Sequence, residues 1–178
     1  MAAVIYLFAF PFYSMSMSAN PNFNMLAWNV CGADSKEFRR SIKFLIETYK
    51  PQFLLLFEPQ SSGDRATTVC SKLGFPEVLR VDAVGRKGGI WLAWKPDIFQ
   101  IHLVEASHQH ITVRVSGQAM PDWLLTGVYG SPDYKFHTLL WEQLQKTNDL
   151  FDIPWLVTGD FNVFVPLQRR QDQFPKQP

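Results

Sequence analysis

The sequence predicts an α/β domain built on a mixed sheet with helices packed on one face. Three observations predict it. Two stretches with apolar residues at helical spacing, 35–49 and 61–74, bracket a continuous apolar run at 53–57. Between 77 and 129, apolar or alternating runs are separated by short turn signals, as strands joined by tight connections are. A third helical pattern, 133–148, leads into a last strand-like run at 155–159. The order β-α-β-α, then several strands, then α-β suits a mixed sheet covered by helices.

Each element has its own local reason. Met25 to Val30 is a short apolar run ending in Asn-Val-Cys-Gly, a strand running into a turn. Ser35 caps a helix carrying Phe38, Ile42, Leu45, Ile46 and Tyr49, and Pro51 ends it. Phe53 to Phe57 is apolar throughout and is expected to be buried on both faces. Ser61 and Ser62 precede a helix with Ala66, Val69, Cys70 and Leu73, and Gly74 stands at its expected C-terminal cap. Strands follow at Glu77 to Ala83, Gly89 to Trp94 and Ile98 to Val104. Gly85-Arg86-Lys87-Gly88-Gly89 and Pro96-Asp97 supply the turns. Gln109 to Val115 alternates apolar and polar residues, and Trp123 to Tyr129 is another strand. Asp133 to Asn148 is a helix with Phe136, Leu140 and Leu144 on one stripe, and Trp155 to Gly159 is the last strand.

Composition bounds the function classes. The chain has 178 residues, 47% hydrophobic and 19% charged, which suits one domain. A net charge of +1 gives no bulk attraction for nucleic acid. Small basic clusters at Arg39, Arg40 and Lys43, at Arg86 and Lys87, and at Arg169 and Arg170 read first as solvated surface. Two cysteines, Cys31 and Cys70, are too few for a disulfide framework, and a reducing compartment is the default. Ala2 to Tyr13 is apolar, with Ser18-Ala19 at a cleavage-like position. No Lys or Arg precedes it, Pro11 interrupts it, and it is too short to span a bilayer. The expected organisation is an extension at 1–22, a domain at 23–165 and a disordered tail at 166–178. No membrane association is expected, and a nuclear or cytoplasmic location is favoured over secretion.

Five polar residues end apolar strand-like runs, and each also has a plain reading. Glu58 follows a buried strand. It reads alone as a paired strand-end carboxylate, and it would equally suit Mg²⁺, which takes one or two carboxylates with water and phosphate. Asp160 and Asn162 alternate at a strand end. They could hold and activate a water between carboxylate and amide, or form a simple turn. Asn29 could orient a metal-ligating carboxylate or make an Asx turn. Tyr129 could donate to a phosphoryl oxygen or pack as a strand aromatic. His108 and His110 share one side of a strand, but no third metal ligand is near, so surface or core roles are favoured. His102 and His137 are single and unassigned.

Together these segments are more specific. Asn22 to Gly32, Pro51 to Glu58, Val81 to Ile90, Leu125 to Pro132 and Pro154 to Asn162 resemble the endonuclease/exonuclease/phosphatase family. The nearest likeness is to the endonuclease domain of LINE-type (non-long-terminal-repeat) retrotransposons of plants. Gly159-Asp160-Phe161-Asn162 is its most specific piece. The resemblance implies part of a four-layered α/β sandwich, the DNase I-like fold. It implies a hydrolase that nicks DNA with Mg²⁺. Glu58 would be the metal ligand, with Asn29 shaping the site. Asp160 would position and activate water with Asn162 beside it, and Tyr129 would contact the scissile phosphate. The family completes its site with a later Asp and a Ser-Asp-His-like segment, which do not follow Asn162 here. The expectation is therefore a truncated domain with an incomplete second sheet, an exposed apolar face and little or no activity. The alternatives are a noncatalytic remnant that binds nucleic acid weakly, through Arg39, Arg40, Arg86 and Lys87, and a phosphatase or phospholipid hydrolase of the same family.

Overall fold

In the computed structural model, which describes residues 5–10, 23–117 and 120–163, the strands fall into two sheets. The first holds β1 (Ile5–Phe10), β2 (Phe23–Asn29), β3 (Phe53–Phe57), β4 (Glu77–Val81) and β5 (Ile90–Trp94), in the spatial order β1-β2-β3-β5-β4. The second holds β6 (Gln100–Ala106), β7 (His110–Gly117), β8 (Met120–Tyr129) and β9 (Trp155–Asp160), in chain order. Two pairs are parallel, β2 with β3 and β8 with β9. A parallel pair needs a crossover. α1 (Lys36–Tyr49) supplies it for the first pair and α3 (His137–Leu150) for the second.

α1 forms as its sequence requires. Phe38 N–H donates to the Ser35 side chain at 2.9 Å, satisfying one of the orphan donors of the first turn. Lys50 adopts the left-handed conformation at the C-terminus, before Pro51. Phe38, Ile42 and Leu45 are buried. α2 (Gly63–Cys70) lies beside it, and together they cover Leu26, Trp28, Leu54, Leu56, Trp91 and Ala93 on the first sheet.

Alternation along the same strands builds the second interface. Met25, Ala27, Phe53, Leu55, Phe57, Ile90 and Leu92 point the other way and meet Ile111, Val113, Trp123 and Leu125 of the second sheet. Phe53 lies 4.5 Å from Phe99 and 6.1 Å from Trp123, ring centre to ring centre. Gly127 allows this approach, since a Cβ there would sit 2.8 Å from Leu55 Cδ2. α3 covers the far face of the second sheet through Leu140 and Leu144. The layers are thus helix, sheet, sheet, helix.

Several expectations are corrected. Four strands form a second sheet, and they cover the apolar face that was expected to lie open. Residues 5–10, set apart as an extension, pair antiparallel with β2 from Ile5↔Trp28 to Phe10↔Phe23. α2 ends at Cys70, not beside Gly74. Lys72 and Leu73 N–H turn back three residues, and Gly74 (φ +76°) follows that tighter turn. The third helix opens with a 3₁₀ turn at Tyr134–Phe136, and Phe136 leaves the buried stripe to stand 42% exposed. β6 begins two residues later than predicted, at Gln100. The tail at 166–178 and the Arg169-Arg170 cluster lie outside the described residues. No helix among those residues is long and apolar enough to cross a membrane.

Candidate functional site

Each sheet contributes one parallel β-α-β unit, and the carboxyl ends of the two units meet. Such strand ends are where α/β folds gather polar groups. β2 ends at Asn29 and β3 ends one residue before Glu58. β8 ends at Tyr129 and β9 at Asp160, which face each other in register.

The four side chains gather in one polar group, with Cys31 between Asn29 and Glu58. Asn29 Nδ2 donates to Asp160 Oδ2 at 2.9 Å, across 131 residues of chain and between the two sheets. The Tyr129 hydroxyl lies within the influence of the Glu58 carboxylate. Gln60 Nε2 donates to Glu58 Oε1 at 3.1 Å. The Cys31 thiol lies 3.3 Å from Asn29 Oδ1 and 3.5 Å from Glu58 Oε2. Asn162 N–H donates to Asp160 Oδ1 at 3.0 Å, and Asn162 Nδ2 donates to the Gly130 carbonyl at 2.8 Å. Both oxygens of Asp160 are therefore held.

The backbone is bent to achieve this. Cys31, Glu58, Gln60 and Asn162 all have φ between +47° and +56°, a region that costs a non-glycine residue free energy. Such strain persists where surroundings over-determine it, and here they do. Glu58 N–H donates to Gly89 O, and Gln60 N–H to Gly88 O. Gly89 is required at this contact, because a Cβ would lie 2.9 Å from Pro59 Cγ. The Gly-rich turn predicted from sequence is thus the brace behind Glu58.

Charge explains what the group lacks. Among the described residues, neither Glu58 nor Asp160 forms an ion pair with a Lys or Arg. Burial, and then the Glu58 and Asp160 carboxylates, push the Tyr129 hydroxyl up to about 12. Burial and Glu58 likewise push the Cys31 thiol up. Tyr129 is therefore a neutral donor at physiological pH. Two carboxylates without a cation, with amide and phenol oxygens around them, form a hard oxygen donor set that fits Mg²⁺. No group of three His, Cys, Asp or Glu side chains able to hold a metal occurs among the described residues. Mg²⁺ does not require one, since it keeps several waters.

A cleft of about 630 Å³ opens beside Glu58 and Tyr129, lined further by Lys87, His108, Gln109 and Phe136. A separate polar groove of about 520 Å³ is lined by Cys31, Asp34, Gln60, Ser62, Arg65 and Arg86, with Arg65 paired to Asp34 at 2.8 Å. The 85–89 turn therefore sends Arg86 to the groove and Lys87 to the cleft.

The structure brings Asn29, Glu58, Tyr129 and Asp160 together. Asn162 does not continue the strand alternation expected of it. Its left-handed backbone makes an Asx turn on Asp160, and its side chain faces Gly130. His108 and His110 part company. His108 stands at the cleft beside Phe136, whereas His110 is fully buried, with Nδ1 2.9 Å from Ser107 Oγ. Sequence reasoning missed Cys31, Gln60 and Gln109. Cys31 and Gln60 each lie two residues beyond a singled-out residue, and that spacing was the available signal. Gln109 had none.

Comparison with known proteins supplies the context for this geometry. The profile of the Endonuclease/Exonuclease/phosphatase family matches residues 26–173. No curated protein sequence matches the chain. Among solved structures, it is similar to an AP endonuclease, LMAP, from Leishmania major (17% identity, 87% of this chain and 61% of that one, TM-score 0.59). It is similar to D. rerio TDP2 complexed with single-strand DNA product (15% identity, 79% of this chain and 61% of that one, TM-score 0.57). It is also similar to the endonuclease domain of TRAS1, a telomere-specific non-LTR retrotransposon (17% identity, 74% of this chain and 56% of that one, TM-score 0.52). The chain spans less than two thirds of the length of each of these structures.

Proposed function

The chain belongs to the endonuclease/exonuclease/phosphatase family, and on that premise we propose that it is a Mg²⁺-dependent phosphodiesterase that nicks DNA, of LINE type as found in plants. One observation carries this reading: the carboxylates Glu58 and Asp160, from the ends of two different sheets and without a Lys or Arg partner among the described residues, both act on Tyr129, and Asp160 is bonded to Asn29. The likeness to the TRAS1 endonuclease and to an AP endonuclease supports DNA as the substrate.

Glu58 would hold the metal, with Asn29 beside it. When bound, the metal supplies charge stabilisation for the phosphate and the leaving oxygen. The chain's own residues do the rest. Asp160 is fixed through both oxygens and orients a water, taking its proton as the water attacks phosphorus. Tyr129, kept protonated by its surroundings, donates to a non-bridging phosphoryl oxygen. Asn162 acts as a positioning residue, holding Asp160 and the Gly130 carbonyl. Lys87 and Arg86 flank the site and attract the phosphates on either side.

A second reading, a noncatalytic remnant, is favoured by one observation. Among the described residues, no histidine hydrogen-bonds to Glu58, Asp160, Asn29 or Tyr129. A group that acts as a unit loses several orders of magnitude when one member is missing, so slow nicking is expected from this chain alone. A supercoiled-plasmid assay with Mg²⁺ separates the two readings. Slow nicking that falls roughly 10³-fold in both Glu58→Ala and Asp160→Ala supports the enzyme. Nicking that survives both substitutions, or is absent from the parent chain, sinks it.

A further inference from the structure

We propose that Cys31 sets the metal preference of the site: with Glu58 and Asn29 it makes a mixed sulfur–oxygen donor set that takes a thiophilic divalent cation of the Zn²⁺ class ahead of Mg²⁺. This rests on Glu58 as the metal ligand of the proposed function and adds which cations that centre selects.

The spacing of the donors points to such an ion. The Cys31 thiol lies 3.3 Å from Asn29 Oδ1 and 3.5 Å from Glu58 Oε2. Tetrahedral Zn²⁺, bound to sulfur at about 2.3 Å and to oxygen at about 2.0–2.2 Å, holds those two atoms about 3.5 Å apart. Octahedral Mg²⁺, bound to oxygen at about 2.0–2.1 Å, holds neighbouring oxygens only about 2.9 Å apart. A thiol carries one proton and faces two oxygens here, so one oxygen is always left short. A cation serves both. The third donor is an amide oxygen, so the set is compatible with the absence, among the described residues, of three clustered His, Cys, Asp or Glu side chains.

Each donor is aimed before any ion arrives. Gln60 Nε2 donates to Glu58 Oε1 at 3.1 Å, which leaves Oε2 facing the sulfur. Asn29 Nδ2 donates to Asp160 Oδ2 at 2.9 Å, which turns Oδ1 toward Cys31, whose own N–H it accepts at 3.3 Å. The backbone fixes the distance between the two segments. Val30 N–H donates to the Phe57 carbonyl, Gly32 N–H to the Glu58 carbonyl and Ala33 N–H to the Pro59 carbonyl, each at 2.9 Å. Cys31 is braced between these bonds with φ +47°. Partners that orient ligands in this way are worth roughly 10- to 100-fold in metal affinity.

Access and charge agree. Cys31 is exposed at the polar groove, so an ion can enter, whereas the other thiol, Cys70, is buried. Among the described residues, neither arginine of that groove pairs with Glu58, and Arg65 is bound to Asp34 at 2.8 Å. The oxygens alone suit Mg²⁺. The thiolate is the soft donor that shifts the choice toward Zn²⁺, Cd²⁺ or Co²⁺. On binding, the sulfur–metal bond replaces the S–H bond and the proton leaves to solvent.

The test reads binding rather than turnover. Co²⁺ or Cd²⁺ is titrated into the full chain, and a near-ultraviolet thiolate-to-metal charge-transfer band is expected to saturate at one ion per chain. Cys31→Ser is expected to abolish the band, and Glu58→Gln to move its midpoint roughly 10-fold or more toward higher metal. A large excess of Mg²⁺ is expected to leave the band in place. In the parent chain, which needs no substitution, Zn²⁺ is expected to slow alkylation of Cys31 by iodoacetamide and Mg²⁺ to leave the rate unchanged. No band, a band that survives Cys31→Ser, a midpoint unmoved by Glu58→Gln, bleaching by Mg²⁺, or equal protection by the two ions overturns the proposal. Glu58-dependent nicking with Mg²⁺ by a chain that shows no band defeats this inference alone. A Cys31-dependent band on a chain that does not nick defeats the hydrolytic reading alone.

Discussion

The two sheets share an interface but are covered unequally on their outer faces. Behind the first, α1 and α2 bury residues of β2, β3 and β5 in a dense layer, and β3 and β5 are buried along their whole length. Behind the second, among the described residues, that layer has three buried members, Val128, Leu140 and Leu144. β6 and β9 stay partly open. The strand before Glu58 is therefore fixed from both faces. The strand ending in Asp160 is held by its pairing with β8, by partly buried Trp155, Leu156 and Val157, and by the site itself, through Asn29, Asn162 and the Gly130 N–H. The site helps to hold the half of the fold that presents it.

The sharpest way to break this comparison is to delete equivalent side chains from the two outer layers. Leu56→Ala, in the dense layer, is expected to cost about 4 kcal/mol, and Leu144→Ala, in the thin one, about 2 kcal/mol. Urea midpoints at constant slope measure both, and equal costs would show that the layers are equivalent. Gly127→Ala probes the surface the sheets share. Its methyl would press on Leu55 and Phe57, and overpacking of this kind costs about 1–3 kcal/mol. A neutral result would mean that the sheets can move apart freely.

A smaller effect is expected from pH. Burial holds His110 below the ordinary histidine range, against a weaker opposing pull from Glu105. A depressed histidine supports the fold above its unfolded value of about 6.5, and that support is lost as pH falls. The melting temperature should drop between pH 7 and pH 5, with a shallower slope in His110→Gln. Identical slopes would remove His110 from the account. The smallest effect belongs to Tyr129. Its raised value favours the fold at neutral pH, and that contribution fades as pH rises from about 10 through about 12. Tyr129→Phe should leave stability within about 1.5 kcal/mol of the parent. It should also remove the tyrosinate absorbance component that titrates at about 12. A titration curve unchanged by the substitution would contradict the placement of Tyr129 between two carboxylates.

These differences follow the range of the interactions involved. α1 was legible because its cap, its stripe and its stop are all local, from Ser35 through Leu45 to Pro51. β3 was legible because an unbroken apolar run has no other use at that length. The Gly85–Gly89 turn was legible because its positive φ values require those residues. Gly74 misled, because a 3₁₀ turn came between it and α2, and propensity does not register that. Phe136 misled for the same reason, since a 3₁₀ turn rotates it out of the helical stripe. Asn162 was expected to continue β9, but capture of its N–H by Asp160 turns the chain at once. Gln109 could not be found at all. Its importance lies in two bonds to backbone 22 and 27 residues away, which no local pattern encodes.

The Asn29–Asp160 bond has a consequence in time. Residues 131 positions apart meet only after both crossover units have closed and the sheets have docked, and distant pairings form late because chain closure opposes them. During synthesis the polypeptide would thus hold Asn29 and Asp160 apart until its architecture is finished. Correct assembly would itself decide when these groups first act together.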